Sequence, residues 1–176
     1  MKHTVPLIET VRSHIPRNRH AILDVLSDYS LEKIGHEKWI LQDIKNAGYD
    51  ADSVCSGVPA AATEELLAYA YDYVVRENPL GFFGMVYVIE RTGTGLAALA
   101  VEKLMVSLDL PKKCFSYLLS HGSSDTDDVD MFKMLMTQIT DPSEQEAIIH
   151  VAKRMYSLYG AIFESIAQKT GFEVQV

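Results

Sequence analysis

A long apolar stretch that ends in a carboxylate is the feature that most restricts how this chain can fold. Eleven mostly apolar residues, from Pro79 to Ile89, directly precede Glu90. Such a stretch belongs in a protein interior, where a lone charge is prohibitively costly. Glu90 must therefore be paired, protonated or bound to a cation. The fold has to provide a polar centre inside an apolar bundle, and Glu90 is the first candidate functional residue.

Apolar residues recur at helical spacing through most of the chain, and no segment alternates as a half-buried strand would. Pro79 and Pro142 stand where prolines begin helices, and Thr63 and Asp141 are typical N-cap residues. The predicted helices cover residues 17–47, 63–76, 79–108, 113–139 and 142–168, after a short amphipathic segment at 2–14. The sequence thus predicts an all-α bundle of five to six helices, in one domain that spans residues 1–176.

Composition limits the kinds of molecule that this chain can have as partners. A chain of 176 residues can bury a real core. Its net charge of −8 argues against the phosphate backbone of a nucleic acid as a partner. No segment reaches the roughly 20 apolar residues that a membrane span needs, and the N-terminus lacks the apolar core of a secretory signal. We expect a cytoplasmic protein with neither a nucleic-acid nor a membrane partner.

A second polar group interrupts the helix predicted at 113–139. His121, Asp125 and Asp128 are spaced i, i+4 and i+7, which places them on one helix face. An imidazole with two carboxylates is a donor set that suits iron or manganese. The alternative is a bend at Gly122 that carries ordinary surface acids. The spacing leaves both interpretations open.

Polar residues also line one face of the predicted second helix, where Asp24, Asp28, Glu32 and His36 lie four apart. Glu32 and His36 could share one metal ion, because such neighbours lie close on a helix surface. A solvated face with ordinary ion pairs explains the same pattern. Helical bundles do build di-iron sites from inward-facing glutamates and histidines.

Four segments, in this order, are similar to those of a known family. They are Gly35-His-Glu-Lys-Trp-Ile-Leu-Gln-Asp43, the stretch from Asn78 to Glu90, Phe115-Ser-Tyr-Leu-Leu-Ser-His121-Gly with Asp125, and Tyr156-Ser-Leu-Tyr159-Gly. The chain resembles the iron-containing redox enzyme family of the heme-oxygenase-like superfamily, whose relatives include the non-heme di-iron oxidases and the TenA and PqqC folds. The resemblance covers nearly the whole chain and implies a heme-oxygenase-like helical bundle. It also implies that longer relatives carry a further helix ahead of the point where this chain starts.

The resemblance implies which residues hold the metal. Iron is expected on His36, Glu90, His121 and Asp125, with Asp128 as a further oxygen ligand. Glu90 and His121 are also the residues expected to take part in catalysis.

The chain departs from the family pattern at two of these positions. Lys33 stands where members usually have the glutamate of a Glu-x-x-His motif, and Asp128 stands where they usually have a histidine. A lysine beside the site repels a second cation. The resemblance therefore implies one weakly held iron, or none, more readily than a complete di-iron centre.

The resulting functional prediction is a non-heme iron-dependent oxidase or oxygenase that acts on a small organic substrate. One alternative is a metal-free, PqqC-like or TenA-like protein that binds a small ligand, with Glu90 and His121 moving a proton or orienting the ligand. Another is a non-catalytic dimeric interaction module, and heme binding is a further one. A homodimer is expected in each case.

Overall fold

The computed structural model describes the backbone of residues 2–121 and 125–170. Within these ranges it leaves out the side chains of residues 94–95, 121, 125–131 and 167–170. The described helices are α1 (Thr4–His14), α2 (His20–Lys33), α3 (His36–Asn46), α4 (Ala51–Ser56), α5 (Ala61–Arg76), α6 (Phe82–Leu108), α7 (Ser116–His121), α8 (Asp125–Gln138) and α9 (Pro142–Thr170). Two 3-10 turns, at Pro79–Gly81 and Lys112–Cys114, lead into α6 and towards α7. The predicted all-α fold is confirmed, with more and shorter helices than expected.

The helix predicted over 17–47 is in fact two helices, α2 and α3. They are separated by Gly35, whose φ of 88° lies in the left-handed region that glycine adopts at little cost. The turn redirects the chain and places His36 at the start of α3. A short helix, α4, also lies between the predicted helices 17–47 and 63–76, where no helix was predicted, and its N-cap Asp50 accepts hydrogen bonds from two backbone amides.

The ends of the later helices follow the predicted signals in part. Asn78 caps the turn that precedes α6 by accepting a hydrogen bond from the Leu80 amide. Asp141 accepts from the Ser143 amide at 2.8 Å and so caps α9. Glu144, in the first turn of α9, bonds to a residue outside that helix. It forms a two-pronged ion pair with Arg19, at 2.7 and 3.0 Å, which ties α9 to the residue just before α2.

The main core lies between α1, α2, α5, α6 and α9. Its most deeply buried side chains are Leu7, Ile8, Val11, Ile22, Leu26, Leu80, Val88, Ile139 and Met155. α6 and α9 run along each other, and Gly84 marks their closest approach. A Cβ atom at Gly84 would lie 2.2 Å from the Ile148 carbonyl oxygen, so only glycine fits there.

A buried carboxylate holds the other side of the bundle together. Asp43 of α3 is only 8% exposed and accepts hydrogen bonds from the Ser116 hydroxyl at 2.6 Å and the Tyr117 amide at 2.9 Å. These bonds join α3 to the first turn of α7 and fix the position of Tyr117. Within the described residues, no helix combines the length and apolar character that crossing a membrane requires.

The contact at Gly84 makes a testable prediction. Gly84→Ala should lower the free energy of unfolding by about 2–3 kcal/mol, because the added methyl group overlaps backbone atoms of α9 that cannot move aside cheaply. Gly93→Ala in the same helix is the matched control, since its Cβ meets nothing within 4 Å. That variant should gain up to about 1 kcal/mol from helix propensity. Urea unfolding of both variants measures the difference, and equal effects would contradict the close contact.

Candidate functional site

Glu90 lies in the first half of α6 with its side chain 14% exposed, and two groups from α2 bind the same carboxylate oxygen. The Lys33 ammonium lies 3.0 Å from Glu90 Oε1. The Tyr29 hydroxyl donates a hydrogen bond to that oxygen at 2.5 Å. Tyr29 and Lys33 are four residues apart, so both reach Glu90 from one face of α2. Glu90 is thus paired, and its partner is the lysine at the end of α2.

Lys33 is itself enclosed. It is 4% exposed, and its ammonium also contacts Glu32 Oε1 at 2.8 Å and lies 4.6 Å above the centre of the Tyr29 ring. Burial by itself lowers the pKa of Lys33, but the charges of Glu90 and Glu32, with a hydrogen bond to each, outweigh it, so the pKa is raised overall. Lys33 therefore remains a cation at neutral pH. We call Tyr29, Glu32, Lys33 and Glu90 the Lys33–Glu90 centre.

The charge of Glu90 affects the pKa of two tyrosines from other helices. Burial, and then the negative charge of Glu90, raise the pKa of Tyr117 in α7 to about 12. The same two causes raise the pKa of Tyr159 in α9. Both phenols therefore stay neutral at physiological pH.

His36 reaches the same region from α3. It is 8% exposed, stacks on Trp39 with ring centres 4.6 Å apart, and meets the Tyr117 ring edge-on at 6.4 Å. The structure therefore brings His36 to Tyr117, and Tyr117 lies within the electrostatic influence of Glu90. His36 and Glu90, predicted as joint metal ligands, are connected through Tyr117, which contacts the first and responds to the charge of the second.

The remaining predicted ligands are His121, Asp125 and Asp128. His121 is the last residue of α7, and the two aspartates belong to the first turns of α8. Their side chains lie outside the described residues. Their role as ligands, and that of His121 in catalysis, stay predictions.

A cavity of about 490 Å³ opens beside Glu90, between α2, α6 and α8. Its walls are mainly apolar and include Val25, Phe83, Val86, Phe132, Leu135 and Met136. Glu90 and Tyr29 contribute polar atoms to the wall, and the cationic side chains of Arg91 and Lys133 also line it. Both cations are exposed, which places them where the cavity meets solvent.

The described donors do not suit an iron ion on Glu90. Among the described side chains, no three histidines, cysteines or carboxylates come together as a metal-binding group. Glu90 Oε1 already faces the Lys33 ammonium at 3.0 Å. A divalent cation on that carboxylate would meet a positive charge at close range.

Sequence reasoning missed two members of this site, Tyr29 and Tyr117. Tyr29 looked like one more apolar position of α2. The signal that could have found it is its spacing of four residues from Lys33, since the two must share a helix face. Tyr117 lies inside a segment of the family resemblance, but its position depends on the hydrogen bond that its amide donates to Asp43.

The ion pair predicts energetic coupling between two helices. Lys33→Met and Glu90→Gln should each lower the free energy of unfolding by about 2–4 kcal/mol, because each leaves a buried charge without its main partner. The double variant should lose about 1–3 kcal/mol less than the sum, because it buries neither charge. Urea unfolding gives the four values. Lys103→Met, an exposed lysine on α6, serves as the control, with a change below about 0.5 kcal/mol. Additive losses would show that the pair contributes nothing.

Comparison with known proteins agrees with the geometry of the bundle. A solved structure, a domain of unknown function with a heme oxygenase-like fold from Shewanella denitrificans, superposes with a TM-score of 0.85 at 22% identity. The match covers 97% of this chain and 73% of that one. No curated protein matches. The model of the family described as iron-containing redox enzymes matches residues 2–160. The chain therefore belongs to the iron-containing redox enzyme family and has its heme oxygenase-like fold.

Proposed function

We propose that this chain binds a small, mostly apolar organic acid in the cavity beside Glu90 and orients it against the Lys33–Glu90 centre. The cavity is the observation that carries the proposal. Its volume of about 490 Å³ is in the range of small-molecule sites, and its wall combines apolar side chains with a few polar groups. The apolar part of the ligand would lie along α6 and α8, next to Phe83 and Phe132.

The charges around the cavity favour an acid over a neutral or basic ligand. Lys33 already forms an ion pair with Glu90 at 3.0 Å, which weakens the attraction of this carboxylate for a basic group. The exposed Arg91 guanidinium adds a positive charge to the described lining, in a chain whose net charge is −8. This guanidinium, at the opening, would bind a carboxylate by charge-assisted hydrogen bonds.

The centre can act on such a ligand with its own side chains. Tyr29 and Lys33 hold Glu90 in one position, because both bind the same oxygen. The neutral phenols of Tyr117 and Tyr159 lie near enough to Glu90 to respond to its charge. This set can orient a ligand and pass a proton to or from it through Glu90.

The acid-binding proposal is tested with a matched pair of probes. Octanoate should bind and 1-octanol, with the same apolar chain, should bind more weakly, as measured by titration calorimetry. Arg91→Gln should weaken octanoate binding by about two- to fivefold, the size expected of an exposed ion pair.

The control for charge is Lys103→Gln, which removes a cation of α6 that does not line the cavity and should leave the affinity unchanged. Val25→Trp should fill the cavity and abolish binding of both probes. Equal affinity for the alcohol, or an equal effect of Lys103→Gln, would contradict the proposal.

Family membership favours a second candidate, a non-heme iron-dependent oxidase or oxygenase that acts on the same small organic substrate. Its proposed ligands are His36, Glu90, His121, Asp125 and Asp128. When bound, iron would supply the reaction with dioxygen. This candidate requires iron to compete with Lys33 for Glu90. The homodimer and the cytoplasmic location expected from the sequence also stay predictions.

Iron loading separates the two candidates. Protein purified without chelator is reloaded with ferrous iron under anaerobic conditions, analysed for metal and then exposed to air. We expect the Glu90→Gln variant to bind as much iron as the natural protein and to consume the same amount of oxygen. Iron near one or two ions per chain, lost in Glu90→Gln and accompanied by ligand-dependent oxygen uptake, would establish the oxidase instead.

A further inference from the structure

We propose that Lys33 takes the place of a metal ion at Glu90, so that a side-chain cation holds the centre together and excludes divalent cations from it. The inference is independent of which ligand enters the cavity. The Lys33 ammonium balances the charge of the carboxylates, so this member of the family needs no metal ion at Glu90.

The position of the Lys33 ammonium supports this inference. It lies 3.0 Å from Glu90 Oε1 and 2.8 Å from Glu32 Oε1, so carboxylates from α2 and α6 converge on one positive charge. Two carboxylates from different helices that meet at one cation form the arrangement in which bundles hold metal ions. Here the cation belongs to the chain itself.

Enclosure makes Lys33 hard to displace. It is 4% exposed, and the Tyr29 ring covers one side of its ammonium at 4.6 Å. A divalent ion on Glu90 would either repel this ammonium or force it out of the interior, away from both carboxylates. Because Lys33 is covalently part of α2, it also stays at the centre when free cations are scarce.

The inference predicts that one substitution creates a metal site. Lys33→Glu replaces the ammonium with a third carboxylate beside Glu32 and Glu90, and it sets a glutamate three residues before His36. Carboxylate oxygens with an imidazole are donors that Mn²⁺ and Fe²⁺ accept. Lys33→Met removes the competing charge without adding a ligand, so it should produce a smaller gain.

The test measures Mn²⁺ affinity by titration calorimetry and by the Mn²⁺ signal in electron paramagnetic resonance. Lys33→Glu should bind Mn²⁺ at least about 100-fold more tightly than the natural protein, because repulsion by the ammonium is replaced by attraction. Mn²⁺ should raise its melting temperature. Lys33→Glu/Glu90→Gln should lose most of the gain, and Lys103→Glu, which changes the net charge equally, should gain nothing.

Lys33→Met keeps the inference testable if Lys33→Glu does not fold, since its affinity should lie between those of the natural protein and Lys33→Glu. Two results would overturn the inference. One is Mn²⁺ binding by the natural protein that is lost in Glu90→Gln. The other is a folded Lys33 variant that binds Mn²⁺ no more tightly than the natural protein. Octanoate binding can persist in either case, so failure here is distinct from failure of the ligand proposal.

Discussion

The ion pair between Lys33 and Glu90 is the interaction on which the arrangement of this bundle depends. The apolar first half of α6 has to be buried, and it carries Glu90 into the interior with it. A buried carboxylate without a counter-charge would oppose folding by several kcal/mol. Lys33 supplies that charge from the end of α2, and Tyr29 adds a hydrogen bond to the same oxygen. The position of α2 against α6 is therefore set by polar chemistry as well as by the apolar residues around it.

Two glycines and one aspartate arrange the other helices around this pair. Helix α2 ends at Lys33, and Gly35, in its left-handed conformation, turns the chain so that α3 begins at His36 in a new direction. Asp43 then binds the first turn of α7 and fixes Tyr117 beside His36. On the opposite side, Gly84 lets α9 approach α6 closely and brings Tyr159 under the influence of Glu90. Each contact is local, and together they enclose the centre on several sides.

Much of this architecture could be predicted from the sequence, because helical periodicity and prolines act over a few residues. The break at Gly35 was missed because the apolar pattern continues across it, and only the backbone angle reveals the turn. Glu90 could be identified as a polar centre because a charged residue at the end of an apolar stretch is visible in the sequence before its partner is known. The family resemblance places Lys33 beside the site, but its ion pair with Glu90 could not be predicted, because the two residues are 57 positions apart and many lysines could have filled that role. The roles of His121, Asp125 and Asp128 depend on side chains outside the described residues.

The family name and the centre of this chain point to different chemistry, and electrostatics accounts for how one fold accommodates both. The bundle needs a positive charge next to the carboxylate in the first half of α6, and that need does not specify what carries the charge. A metal ion satisfies it and brings redox chemistry. A lysine satisfies it equally well and leaves the carboxylate to orient a ligand or hold a proton. A lysine at position 33 can thus hold the bundle together without a metal ion at Glu90. Membership in the family therefore establishes the fold and the general kind of enzyme, whereas the identity of the cation at Glu90 decides the chemistry of this chain.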